Sequence, residues 1–175
     1  MKIGFCGTMS VGKTTLVNAL KELPEFKDYH FRTERSKHLM NLGIPLNTDS
    51  TLKGQLVFAS ERAVELMQEK IITDRTIIDV MAFCELSTSM TQAEKFHLNA
   101  AFYHLIKEYD IIFYVSPEGV EIEDNGVRET DADYRMAIDK EIKSIVGMHI
   151  SHTPTIQGNI KERIEQVKNA VAQYV

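Results

Sequence analysis

The sequence has few cysteines and no excess of basic residues, and each absence argues against a class of protein. Its two cysteines, Cys6 and Cys84, lack the spacing of a metal site or a disulfide framework. Lys and Arg total 20 against 25 Asp and Glu, and the formal net charge is −5. Such a chain offers no basic stripe for avid, sequence-independent binding of nucleic acid. Because the two cysteines show no disulfide framework, we expect a protein of the reducing cytoplasm.

Long apolar runs are also missing. No segment approaches the roughly 20 apolar residues that a membrane-spanning helix needs, and the start at Met1 carries no signal-peptide pattern. The length of 175 residues suits one domain, 1–175, with enough apolar residues for a single core. We expect a soluble protein that has no membrane contact.

A phosphate-binding loop stands at the start of the chain. Residues 7–14 follow the pattern G-x-x-x-x-G-K-[ST], directly after an apolar segment and before a helical one. Such glycines let backbone N–H groups face a β-phosphate, while Lys13 reaches the β and γ oxygens and Thr14 offers its hydroxyl to Mg²⁺. We expect Lys13 to face solvent in the empty site. The predicted nucleotide-binding residues are Gly7, Thr8, Met9, Ser10, Val11, Gly12, Lys13, Thr14 and Thr15.

Strand-like and helical segments alternate along the chain, which is typical of a parallel sheet. The strand-like segments are 2–6, 29–33, 70–73, 110–116 and 151–156, and the longest helical patterns are 49–69, 91–109, 131–146 and 159–174. The uninterrupted apolar run at 111–115 indicates a central strand beside the phosphate-loop strand. The predicted fold is α/β, with three layers: a five-stranded parallel sheet covered by helices on both faces.

A polar, glycine-bearing segment between residues 117 and 131 is longer than most connections and predicts a lid at about 117–135. The segment carries Arg128, and Arg135 follows it. Arginines on a closing lid can stabilise the charge of a transferring phosphoryl group and exclude water. The alternative is that both arginines pair with Glu129, Asp131 and Asp133 on a solvated face.

An acidic and a basic residue end the third strand. Asp74 is placed to hold Mg²⁺ or to take a proton from an attacking hydroxyl, and Arg75 is placed to bind an acceptor. Asp74 could instead cap the next helix, because Asp is a favoured N-cap residue. For Asp79, two interpretations remain: it orients Arg75, or it is a simple surface charge.

The second strand ends in a similar cluster. Glu34 could act as the general base for an acceptor hydroxyl, or it could complement the dipole of the next helix from its first turn. One of its neighbours, Arg32 or Arg35, could contact the acceptor. Near the end of the chain, residues 151–158 offer backbone groups for adenine, and no Asn-Lys-x-Asp element for guanine follows a late strand. ATP is therefore the expected phosphoryl donor.

In these elements the chain resembles the P-loop small-molecule kinases. The resemblance is to the nicotinamide-riboside-kinase-like branch, often labelled as an AAA-type ATPase domain, and more distantly to deoxynucleoside and thymidylate kinases. It rests on residues 7–14, on the acidic residue after the second strand, on 73–76 with Asp79, and on 125–128 leading to Arg135.

The resemblance implies transfer of the γ-phosphoryl group of ATP to a nucleoside or nucleotide, with Mg²⁺ as cofactor. Lys13, Arg128 and Arg135 would stabilise charge, and Glu34 or Asp74 would handle the proton. The family has Asp-Gly before the lid arginine where this chain has Asn125-Gly126, and we expect no counterpart of the fused adenylyl-transfer domain of the bacterial nicotinamide enzyme. Both differences weaken the expectation of a nicotinamide acceptor.

Two alternatives stay open, and both keep the phosphate loop. The chain is similar in size to phage P-loop kinases that phosphorylate 5-hydroxymethyldeoxyuridine within DNA, in which the base would be flipped out of the stack. A regulatory NTP-binding ATPase would need no acceptor, nor Arg75 and the two lid arginines. The net charge favours a monomeric nucleoside or nucleotide. The sequence is compatible with a homodimer.

Overall fold

A computed structural model describes residues 1–33, 35–121 and 131–174 of the chain. Its centre is a sheet of five parallel strands in the order β2-β3-β1-β4-β5, which confirms the predicted α/β architecture. The strands are β1 Lys2–Cys6, β2 His30–Arg32, β3 Ile71–Asp74, β4 Ile111–Val115 and β5 Thr155–Ile156.

Seven helices lie in the described ranges: α1 Lys13–Lys21, α2 Ser36–Asn41, α3 Leu52–Glu65, α4 Ile77–Glu85, α5 Gln92–Ile106, α6 Ala132–His149 and α7 Ile160–Ala172. Short 3₁₀ turns occur at Pro24–Phe26 and Asn47–Asp49. No helix in these ranges is both long and apolar enough to cross a bilayer.

The central position of β1 sets the location of the site. Phe5 of β1 pairs with Asp74 of β3 on one side and with Phe113 of β4 on the other. The strands are parallel, so their carboxyl ends meet at one edge of the sheet, where ligands of open α/β sheets bind. The phosphate loop and Asp74 therefore lie side by side.

The sheet separates two hydrophobic cores, as a three-layer fold requires. On one face, α1 and α7 cover a core that includes Phe5 and Phe113, whose rings stack with centroids 5.1 Å apart. On the other face, α3, α4, α5 and α6 enclose a larger core around Met81, Phe102 and Ile138.

The start of α3 and the length of β5 differ most clearly from their sequence patterns. α3 begins at Leu52 rather than near residue 49, because the Thr51 hydroxyl accepts a hydrogen bond from Gly54 N and caps the helix there. β5 comprises two of the six predicted residues, and Pro154, just before it, has no N–H to donate to a ladder. Glu34, Arg128 and residues 122–130 of the predicted lid lie outside the described residues.

Candidate active site

Two glycines of the phosphate loop have backbone conformations that other residues rarely adopt. Gly7 has φ 153° and Gly12 has φ 82°. A Cβ on Gly7 would lie only 2.6 Å from the carbonyl oxygen of Val115 in β4. No side chain caps α1 at Gly12, so the first-turn N–H groups of this helix can donate hydrogen bonds to an anion.

Lys13 is buried in the loop rather than solvent-facing, so that expectation was wrong. Its side chain is 6% exposed, and Nζ donates hydrogen bonds to the carbonyl oxygens of Gly7 at 2.6 Å and Thr8 at 2.8 Å. Burial, and next the positive charge of Arg75, lowers the pKa of Lys13. The loop curls around Lys13, and its own backbone carbonyl groups are these acceptors.

Thr14 and Asp74 form a polar pair beside the loop. The Thr14 hydroxyl donates a short hydrogen bond to Asp74 Oδ2. Asp74 is 1% exposed, and its other oxygen, Oδ1, has no hydrogen-bond partner among the described residues. A buried carboxylate oxygen next to a hydroxyl is a donor set that suits Mg²⁺. The alternative that Asp74 caps α4 is wrong, because Thr76 is the N-cap residue.

Asp79 is a buried structural partner of the phosphate loop, so its interpretation as a surface charge was wrong. Its Oδ1 accepts a hydrogen bond from the backbone N of Gly7 at 3.2 Å. Its Oδ2 accepts from Thr76 N at 2.7 Å and from Thr76 Oγ1 at 3.1 Å, completing a capping box for α4. Asp79 thereby joins the start of α4 to the start of the loop.

Arg75 lies between two cavities. Its backbone has φ 76°, which is uncommon for a residue other than glycine, and its guanidinium lies 5.1 Å from the centroid of the Phe83 ring. Arg75 lines the cleft of the phosphate loop together with Asp74 and Val120. It also lines a second cavity of about 430 Å³, counting the open mouth, which we call the α3–α4 cavity.

The α3–α4 cavity combines aromatic and polar side chains. It is lined by Ser36, Leu46, Asn47, Gln55, Phe58, Arg62, Arg75, Asp79, Val80 and Phe83. Arg62 is almost fully buried and donates to Glu65 at 2.7 Å; burial is the main cause of the raised pKa of Glu65. Gln55 and Arg62 were not identified from the sequence. The available signal was their spacing, because two polar residues seven positions apart on a predicted helix share one face.

Arg135 contacts the phosphate loop from the first turn of α6. Its guanidinium donates to the carbonyl oxygens of Met9 at 3.2 Å, Val120 at 2.9 Å and Ser10 at 3.4 Å. Among the described residues it pairs with no carboxylate, so the alternative of a solvated ion pair with Asp131 or Asp133 is wrong for Arg135. Burial lowers the pKa of Arg135.

The two arginines of the second cluster lie elsewhere. Arg32 and Arg35 are exposed and line an open depression beside α3, together with Leu56 and Glu61. Arg35 forms an ion pair with Glu61 at 3.1 Å. Neither arginine lines the α3–α4 cavity. Glu34 and Arg128 are outside the described residues.

The fold and the phosphate loop define an α/β P-loop protein. A family model described as an AAA domain matches residues 2–163, and the chain belongs to this family. This match agrees with the branch that the sequence resembles. No curated protein matches the chain.

Solved structures of two kinases and of NadR share the fold. The chain is similar to deoxyadenosine kinase from M. mycoides, with 18% identity, a TM-score of 0.65 and 100% coverage of both chains. It is similar to thymidylate kinase from Candida albicans, with 15% identity, a TM-score of 0.68, and coverage of 98% of this chain and 91% of that one. NadR in complex with NR gives 16% identity and a TM-score of 0.75, over 98% of this chain and 50% of NadR.

Proposed function

We propose that this protein is an ATP-dependent kinase that transfers the γ-phosphoryl group to a nucleoside or nucleotide bound in the α3–α4 cavity. The observation that carries the proposal is the position of Arg75, which lines both this cavity and the phosphate-loop cleft. A reaction between two bound molecules needs such adjacent sites, and positioning is a large part of phosphoryl-transfer catalysis.

The donor site would hold the triphosphate of ATP on the phosphate loop. The N–H groups of the loop would face the β-phosphate, and Lys13 would exchange its bonds to Gly7 and Thr8 for phosphate oxygens. Thr14 and Asp74 fit a magnesium site, because the buried Asp74 Oδ1 is available beside the Thr14 hydroxyl. When bound, Mg²⁺ would neutralise charge on the β- and γ-phosphates.

The acceptor site would hold an aromatic base. Phe58 and Phe83 provide apolar surface, and Gln55 with Arg62 provides polar groups for the edge of a base. The names of two structural neighbours, deoxyadenosine kinase and thymidylate kinase, support acceptors of this class.

The chemistry assigned to the site is proton removal from the acceptor and stabilisation of the transferring group. Asp74 or Glu34 would take the proton, and Arg75 would orient the acceptor. Arg128 and Arg135 would stabilise negative charge on the phosphoryl group. We retain the proposed lid at 117–135. Val120 supports it, because this residue lines the phosphate cleft and its carbonyl oxygen accepts a bond from Arg135.

We propose that Arg32 or Arg35 contacts the acceptor only if that acceptor is a polymer or another large substrate that extends past α3. The phage-type DNA-base kinase is the alternative of this kind. The net charge of −5 opposes it. A regulatory ATPase is the second alternative, and the buried polar side chains of Gln55, Arg62 and Asp79 in the α3–α4 cavity oppose that one.

Transfer of labelled phosphate from γ-labelled ATP tests the proposal. The acceptors are a panel of nucleosides, nucleotides and hydroxymethylated duplex DNA, and the controls are an acceptor-free reaction and an Asp74→Asn variant. We expect label on one or more monomeric acceptors and at least a hundredfold loss in the variant. Release of inorganic phosphate alone, equal with and without acceptors, would establish an ATPase instead.

A further inference from the structure

Arg163, in the first turn of α7, reaches the phosphate loop from the face of the sheet opposite the α3–α4 cavity. Its Nη1 donates to the carbonyl oxygen of Val11 at 2.5 Å, and its Nε donates to the carbonyl oxygen of Gly158 at 2.7 Å. The side chain is 6% exposed. One guanidinium thus joins the loop that precedes α7 to the phosphate loop.

The contact with Val11 has a direct effect on the nucleotide site. In a planar trans peptide, the C=O of one residue and the N–H of the next point in opposite directions. Because Arg163 holds the Val11 carbonyl away from the cleft, the N–H of Gly12 is turned toward it. Arg135 holds the carbonyls of Met9 and Ser10 in the same way. N–H groups fixed in this manner form an anion-binding concavity.

The charge of Arg163 supports the same role. Among the described residues, no carboxylate pairs with this guanidinium, whose partners are the two backbone carbonyls. Burial lowers its pKa. Because the described carboxylates leave this cation unneutralised, its charge would favour an anion bound at the phosphate loop that it contacts.

We propose that Arg163 is a positioning residue of the nucleotide site, which sets the shape of the phosphate loop through Val11 and anchors it to Gly158. The inference rests on the donor site of the proposed function and not on transfer to an acceptor. If the protein bound ATP but did not transfer phosphate, the proposed function would be wrong. The affinities of the Arg163 variants for ATP would still test this inference.

Equilibrium binding of ATP and of inorganic tripolyphosphate tests the inference, measured by isothermal titration calorimetry on the full chain. The variants are Arg163→Met, Arg163→Lys, and the control Lys161→Met, which removes an exposed charge two residues away on the same helix. All are compared at a temperature at which circular dichroism shows each to be folded. A purely structural role would lower the unfolding temperature without changing the affinity of the folded protein.

We expect Arg163→Met to weaken both ligands at least tenfold, or about 1.4 kcal/mol. Arg163→Lys keeps the charge but replaces the forked guanidinium group with a single nitrogen, so we expect the affinity for both ligands to fall threefold or more. Lys161→Met should change either affinity by less than twofold. Affinities in Arg163→Met and Arg163→Lys within twofold of the wild type would overturn the inference. A loss in Lys161→Met equal to that in Arg163→Met would overturn it as well, because it would show an effect of net charge alone.

Discussion

At the scale of single residues, the proposed phosphate site depends on Lys13. Its ammonium group is buried and held by the carbonyls of Gly7 and Thr8. In the proposed function, phosphate oxygens would replace these acceptors when ATP binds.

Substitution of Lys13 by Met should therefore remove transfer while changing the loop only locally. We expect the turnover number to fall at least a hundredfold, because in the proposed function Lys13 would act where phosphate charge is concentrated. Lys21→Met at the exposed end of α1 is the matched control and should retain near-normal turnover. Steady-state kinetics with circular dichroism checks both variants. Turnover of Lys13→Met within threefold of the wild type would contradict this role.

The sequence was sufficient to predict which polar residues lie together where β1 and β3 end. The phosphate loop and the Asp74-Arg75 pair are examples. It could not predict that Asp79 is buried against Gly7, because that contact joins positions 72 residues apart and depends on the packing of α4. Gln55 and Arg62 were missed for the same reason: their cavity is formed by α3 and α4 together.

At the scale of secondary structure, two capping boxes offer a controlled comparison. Thr76 with Asp79 caps α4 at the site, and Thr91 with Glu94 caps α5 on the exposed surface. Both caps satisfy backbone N–H groups, and replacing the threonine with alanine typically costs about 1 kcal/mol.

We expect Thr76→Ala and Thr91→Ala each to lower the free energy of unfolding by about 1 kcal/mol. Only Thr76→Ala should also lower turnover, by fivefold or more, because it removes one of the two hydrogen bonds by which residue 76 holds the Asp79 carboxylate against Gly7. Urea unfolding and steady-state kinetics separate the two effects. Equal losses of turnover in both variants would show that Thr76 acts through general stability.

The amphipathic helices were predictable from their period, and the inner strands β1 and β4 from their short apolar runs. The capping box of α5 depends only on Thr91 and Glu94, which stand at the usual spacing of three residues, so the sequence itself contains this signal. The extent of α4 was not, because all residues from Ile77 to Cys84 are buried and leave no polar face to define a helical period.

At the scale of the whole molecule, the layers meet closely at Gly4 in β1. A Cβ there would lie 2.5 Å from Thr76 Cγ2 and 2.8 Å from the ring of Tyr109. We expect Gly4→Ala to destabilise the fold by about 1–3 kcal/mol, since an added methyl group in a packed core forces neighbours to move.

Gly147→Ala is the matched control for Gly4→Ala, because its Cβ would meet nothing within 4 Å on α6. The free energy of unfolding of the Gly147→Ala protein should be unchanged or rise by up to about 1 kcal/mol. Urea unfolding followed by circular dichroism measures both variants. A Gly4→Ala protein as stable as Gly147→Ala would contradict the close packing of α4 on the sheet.

The net charge of the whole molecule bears on the kind of acceptor. With −5 overall, the chain should gain little from the release of counterions on a polyanion, whereas a monomeric acceptor needs only local contacts in the α3–α4 cavity. The affinity for a monomeric acceptor should therefore depend only weakly on salt.

The most direct test of the central claim is the transfer of labelled γ-phosphoryl from ATP in a competition reaction, repeated from low to moderate salt. The reaction contains a mixture of nucleosides and nucleotides together with hydroxymethylated duplex DNA. We predict that the label enters a monomeric nucleoside or nucleotide and that the apparent acceptor affinity changes little with salt. Label found in the DNA alone, with an affinity that falls steeply as salt rises, would contradict the account.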